Sequence, residues 1–147
     1  MVDVLIDEIA AAWGWTGLVP EKVVAENEFG NLMVRDVQRR YWRICPEDLY
    51  CRLIAQDRPA LDVLLEDDEF VADWQMERLV ATARDHLGDL PEGRKYCLKI
   101  PSVLGGQYEI PNLATISLVD LMRASGHIAH EIDDLPDGAQ VRLVVTD

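Results

Sequence analysis

The sequence is poor in positive charge: 14 Lys and Arg stand against 27 Asp and Glu, a formal net charge of −13. Nucleic acid and anionic lipid are both gripped through a basic face, so neither is expected as a direct partner. A basic protein partner, a cation or simple solubility all fit such a balance. Cysteine is also scarce. Cys45, Cys51 and Cys97 are odd in number and lack Cys-x-x-Cys spacing, which speaks for reduced, mostly buried thiols in a cytoplasmic protein. No apolar run approaches the roughly eighteen residues of a membrane span. Asp3, Asp7 and Glu8 stand where a secretory signal would carry bases. No linker rich in Pro, Gly or Ser, no repeat and no low-complexity tract divides the chain.

What is present reads as one domain over 1–147, with 49% hydrophobic residues to build its core. Residues 1–19 make an N-terminal helix and turn and 20–147 the main body. Residues 3–14 are the helix, with Leu5, Ile9, Ala12 and Trp13 on one side, ended by Gly14, Gly17 and Pro20. A first strand, or a helical turn, is expected at 22–27. Leu32-Met33-Val34-Arg35 and Tyr41-Trp42-Arg43-Ile44 flank the polar Asp36-Val37-Gln38-Arg39, the pattern of an antiparallel hairpin. Residues 49–55 alternate Leu49, Cys51, Leu53 and Ala55 with Tyr50, Arg52 and Ile54. A third strand of a meander fits them, with a helix as the competing reading.

Pro59 opens a short helix carrying Leu61, Leu64 and Leu65. A longer helix is expected over 69–87, striped by Ala72, Met76, Leu79, Val80, Ala83 and Leu87 and stopped by Gly88 and Pro91. Residues 96–100 and 113–116 read as strands on either side of a Leu104-Gly105-Gly106-Gln107 turn. Ser117 and Asp120 form a capping-box pattern. The helix they open carries Leu118, Leu121, Met122, Ser125, Ala129 and Ile132 on one face. Asp137-Gly138 then turns the chain into a last strand of Val141, Leu143 and Val145. Strands and helices come in runs, so the predicted class is α+β: an antiparallel β-meander with several amphipathic helices packed against it.

Candidate chemistry is sparse. His127, His130 and Glu131 share a helix at metal-ligand spacing, yet His127 and Glu131 point away from the apolar stripe, and an ordinary polar helix face is the stronger reading. The three cysteines carry no nucleophile signature and read as packing. Gly105-Gly106 lacks the spaced glycines and the Gly-Lys-Ser/Thr ending of a phosphate loop. Acids cluster in runs, Glu66 to Glu69 and Asp133-Asp134, as solvated faces do. Arg35, Arg39, Arg40 and Arg43 form the one basic patch, able to meet an anion or to offset acids such as Asp36 and Glu47. No catalytic residue, metal ligand or cofactor is assigned. One feature is less bland. Phe70, Val71 and Trp74 lie opposite the main stripe of the 69–87 helix, among acids. Either that helix start is buried between two layers, or it is an aromatic anchor in an acidic rim. The interface expected on the second reading is Glu66, Asp67, Asp68, Phe70, Asp73 and Trp74. The surface of His127, His130 and Glu131 is the alternative.

Two stretches carry a family resemblance. The first is Phe29-Gly30-Asn31-Leu32 through Arg40-Tyr41-Trp42-Arg43-Ile44-Cys45-Pro46-Glu47-Asp48-Leu49. The second runs from Lys99-Ile100-Pro101 and Leu104-Gly105-Gly106 through Ser125-Gly126 to Asp134-Leu135-Pro136-Asp137-Gly138. Together, from about residue 20 onward, they resemble the cytoplasmic immunity proteins that neutralise type VI secretion effectors, the family typified by the antidote to a secreted deoxyribonuclease. The resemblance implies a non-enzyme that binds a cognate toxin tightly, the toxin being a basic nuclease on grounds of charge. After Ser125-Gly126 the chain has His127 where relatives carry an acid, so no family role passes to that position. The other readings are a small metal-dependent or hydrolytic enzyme and an adaptor or regulator domain.

Overall fold

The structure, a computed structural model, describes residues 4–136 and 138–142. Helix α1 (Val4–Trp13) leads into a four-stranded antiparallel meander, β1 (Pro20–Glu26), β2 (Leu32–Asp36), β3 (Tyr41–Cys45) and β4 (Tyr50–Ala55), in spatial order 1-2-3-4. Helices α2 (Arg58–Leu64), α3 (Asp68–Gln75) and α4 (Glu77–Leu87) follow. A two-stranded ribbon of β5 (Arg94–Leu98) and β6 (Leu113–Ser117) then leads to α5 (Leu118–Ile132). The class is α+β, a meander with helices packed on it, as the sequence pattern predicts. No helix among the described residues is long and apolar enough to cross a membrane.

The β2–β3 hairpin is fixed by one buried carboxylate. Asp36 Oδ1 accepts from the backbone N–H of Gln38 and Arg40 at 2.9 and 2.8 Å, and Oδ2 accepts from Arg40 Nε and Trp42 Nε1, each at 2.9 Å. Burial opposes its charge, but these donors outweigh burial and hold the carboxyl below its ordinary range.

Strand alternation places two sets of side chains on opposite faces of the meander. Leu32, Val34, Trp42 and Ile44 pack with Ile9 and Trp13 of α1 and with Leu121, Met122 and Ala129 of α5. The α1 and α5 backbones touch, because a Cβ at Gly126 would lie 2.3 Å from the Ala12 carbonyl oxygen. On the other face Met33, Tyr41 and Ala55 meet Leu61 of α2 and Phe70 and Trp74 of α3. With both faces covered, all five residues of β3 are buried. A third cluster joins Val80 and Ala83 of α4 to Phe29 and to Tyr96, Leu98 and Leu113 of the ribbon.

Several elements depart from the pattern read in the sequence. The helix expected over 69–87 is broken at Met76, whose φ of 48° is left-handed. Such a conformation costs a non-glycine residue about 1–2 kcal/mol. The break lets α3 face the meander while α4 faces the ribbon, and Asn27 Nδ2 donates to the freed Trp74 carbonyl at 2.8 Å. The expected stripe is therefore divided: Val80 and Ala83 are buried, while Ala72 and Leu87 are exposed. Leu49, expected to open the strand over 49–55, sits outside β4 as a left-handed cap at φ 52°. Ala55 is turned to the α2–α3 face rather than joining Cys51 and Leu53. The register slips there, so that Tyr41 pairs with Ala55 but Trp42 with Leu53. Lys99 and Ile100 lie beyond β5. Ser117 caps α5, accepting from Asp120 N–H at 3.1 Å. Val141 is exposed and not in a strand; Asp3, Asp137, Leu143 and Val145 lie outside the described residues.

Candidate functional site

The densest polar chemistry lies where α3 crosses the meander. Alternation along β3 aims Arg43 at α3, where it is buried at 4% exposure. Its Nε and Nη2 donate to Asn31 Oδ1 at 3.1 and 2.9 Å, and its Nη1 donates to Asp73 Oδ2 at 2.6 Å. The guanidinium carbon also lies 5.2 Å from the Trp74 ring centroid and 5.9 Å from that of Phe70, within cation–π range. Asn31 in turn donates through Nδ2 to both Glu47 carboxylate oxygens at 2.9 and 2.8 Å. Glu47 is 5% exposed. Burial raises its pKa above the ordinary glutamate value, with the Asn31 hydrogen bonds opposing that rise.

Asp48 holds a different segment. Its Oδ1 accepts from the Ser102 and Tyr108 hydroxyls, and Cys45 Sγ lies 3.7 Å from its Oδ2. Arg43, Glu47, Asp48, Asp73, Met76 and Tyr108 thus line one open groove of about 560 Å³ between α3–α4 and the β5–β6 loop.

Cys45, Glu47 and Asp48 bring potential ligand atoms within 4.8 Å of one another. A metal ligand or a nucleophile must give up its proton. Burial pushes the Cys45 thiol strongly upward and raises Glu47, while the carboxylates already accept hydrogen bonds from Asn31, Ser102 and Tyr108. The set is built as an internal brace. Burial likewise raises the thiol of Cys51, to about 11, and that of Cys97.

The residues singled out from sequence fall on two separate surfaces. Glu66, Asp67 and Asp68 are exposed at the α2–α3 junction, and Asp67 caps α3 by accepting from the N–H groups of Glu69 and Phe70 at 2.9 and 3.2 Å. Phe70 and Trp74 are half-buried against the meander. Asp73 spans the two settings: it pairs with Arg43, and its side chain is still 69% exposed in the groove. His127, His130 and Glu131 are exposed on α5, over the opposite face of the meander. His130 stacks on Trp15 with ring centroids 4.6 Å apart. Of the arginine patch, Arg35 and Arg39 pair with Glu21, Arg40 with Asp36 and Arg43 with Asp73. Those arginines serve to offset local acids, while Glu47 is met by Asn31.

Sequence reasoning missed the Arg43–Asn31–Glu47 chain and the β5–β6 loop. The signal for the loop was large apolar residues, Ile100, Val103, Tyr108 and Ile110, set among Pro101, Gly105, Gly106 and Pro111, a composition that forms no regular element to bury them.

No curated protein matches the chain. Among solved structures it is similar to the crystal structure of Atu4351 from Agrobacterium tumefaciens, with a TM-score of 0.55 at 15% identity. At that identity the likeness shows the fold alone. The match covers 82% of this chain and 62% of the other, so the chain spans less than two thirds of that protein's length. A family model described as T6SS immunity protein Tdi1, C-terminal, matches residues 55–129, from the end of β4 into α5. The segment 29–49 precedes that match, whereas Lys99 to Gly106 and Ser125-Gly126 fall inside it. With half of its length matched, the chain belongs to the Tdi1 C-terminal family of type VI secretion immunity proteins.

Proposed function

We propose that the chain neutralises a cognate type VI secretion toxin in the cytoplasm by stoichiometric binding, without catalysis of its own, and that the toxin is a basic nuclease. The family match over 55–129 carries this reading. The net charge of −13 supports a cationic partner, since opposite charge speeds capture and a nuclease must itself attract DNA. Thiols kept protonated by burial support a binding role over a nucleophilic one.

The proposed interface is the acidic edge of α3: Glu66, Asp67, Asp68 and Asp73 outermost, with Phe70 and Trp74 packed behind them. The α5 surface of His127, His130 and Glu131 is the second choice. Co-expression with the toxin gene is the test. Restored growth, with a complex of the two proteins on a sizing column, is the expected result. Equal killing with and without the chain, and no complex, would overturn the proposal. Charge reversal at Glu66 and Asp68, which cap nothing and pair with no cation among the described residues, should weaken binding without loss of fold. Unchanged affinity would move the site away from α3.

A further inference from the structure

Among the described residues thirteen large apolar side chains stand exposed, mostly scattered one to an element, but four lie within eleven residues of the β5–β6 loop. Ile100, Val103, Tyr108 and Ile110 are 44%, 58%, 43% and 43% exposed. Single exposed apolar residues are ordinary, whereas several gathered on one short loop are the kind of feature that marks a contact surface.

The loop is held rigid by polar pins beneath it. Asn112 Oδ1 accepts from Ile100 N–H at 2.9 Å, and its Nδ2 donates to the carbonyls of Ile100 and Gln107 at 3.0 and 2.9 Å. Gly106 lies so close that a Cβ would fall 1.7 Å from the Ile100 oxygen. Ser102 and Tyr108 both donate to Asp48, fastening the loop to the turn after β3. A surface ordered before contact loses little further entropy on binding.

Tyr108 joins this apolar ridge to the groove beside α3. Four acids and two arginines line that groove. Arg43 and Asp73 are paired with each other, and Glu47 and Asp48 already accept from Asn31, Ser102 and Tyr108. The acids thus outnumber the cations there, and Glu77 is the one of them that no such bond holds among the described residues.

From this juxtaposition we infer that the 99–112 loop is the apolar anchor of toxin binding. It seats an apolar patch of a cationic toxin on Ile100, Val103, Tyr108 and Ile110, while a toxin Lys or Arg enters the acidic groove. The inference rests on the immunity reading above and adds to it the part of the interface that α3 lacks, since Phe70 and Trp74 are turned into the fold. Asp73 of α3 and Glu77 of α4, which line the groove with Tyr108, then border one contact with the apolar side chains of the loop, in the manner of a hydrophobic centre with a charged rim.

The test measures affinity for the cognate toxin, made catalytically inactive, across surface variants. Val103→Ser with Ile110→Ser should weaken binding by about 30-fold or more, the scale of a lost hot spot. Val103→Arg alone should do so as well, and it keeps the test valid if the double variant folds poorly. Glu77→Lys at the groove should slow association most at low salt. Val19→Ser, exposed elsewhere, should leave affinity unchanged. If the unaltered chain binds while the loop variants bind equally well, the inference is overturned and the immunity reading stands. If the unaltered chain does not bind, both fall. Should the loop variants instead turn a dimer of this chain into monomers at unchanged toxin affinity, the ridge is a contact between copies, and the inference is likewise overturned.

Discussion

Phe70 and Trp74 on α3 rest half-buried on Met33, Tyr41, Ala55 and Leu61, with the Arg43 guanidinium beneath their rings. Thirty residues further on, Ile100, Val103, Tyr108 and Ile110 are 43% to 58% exposed. Both groups are apolar residues near acids, and both lie in the family-matched half of the chain. They differ in what lies under them. Beneath α3 is a strand face with a buried cation that needs covering. The loop is instead tied by polar groups: Asn112 satisfies backbone groups of Ile100 and Gln107 and Asp48 accepts from the Ser102 and Tyr108 hydroxyls, while the apolar side chains stay exposed.

The difference can be broken from the α3 side first. Trp74→Ala should cost about 2–4 kcal/mol, by removing a large ring from a packed face. Arg43→Ala should cost a similar amount, because Asn31 Oδ1 is left buried without its donor. A fall in the urea midpoint with the slope unchanged checks both. Asp48→Ala comes next. It removes the shared acceptor of two hydroxyls, an expected loss of about 1–3 kcal/mol, and hydrogen exchange should quicken in residues 100–112 while α3 stays protected.

A pH effect of opposite sign at two carboxylates follows. Glu47 holds its proton more tightly folded than unfolded. Its contribution to stability therefore falls as pH rises from the ordinary glutamate value toward the folded one. Glu47→Gln should gain on the unaltered chain over that window in pH-dependent urea unfolding. Asp36, held below its ordinary range, contributes stability above that range and loses it as pH falls through the folded value, so Asp36→Asn should blunt acid unfolding. The smallest effect on stability belongs to the loop. Val103→Ser should change the urea midpoint by no more than about 0.5 kcal/mol equivalent, although it lies at the centre of the inferred contact.

Much of this architecture was legible in the chain. The 32–35 and 41–44 hairpin follows from its two apolar runs around a polar turn, and α1 and α5 follow from period and capping, because each of these helices keeps one apolar face toward one core. The 69–87 segment shows where such reading stops. Its stripe of Met76, Leu79, Val80 and Ala83 and its counter-face of Phe70 and Trp74 were both visible, as was the possibility of burial on two sides. The break at Met76 was not, since it depends on Asn27, nearly fifty residues away, accepting the role of partner to the Trp74 carbonyl. The buried Arg43–Asn31–Glu47 chain is equally non-local, and Arg43 looked like one member of a surface patch. The loop ridge escaped notice because irregular segments have no period against which exposed apolar residues stand out.

The most direct measurement titrates the activity of the cognate toxin against increasing amounts of this chain. Stoichiometric neutralisation predicts that activity declines linearly and reaches zero near equimolar chain. Full protection at a small fraction of that amount, or no decline at any ratio, would contradict it.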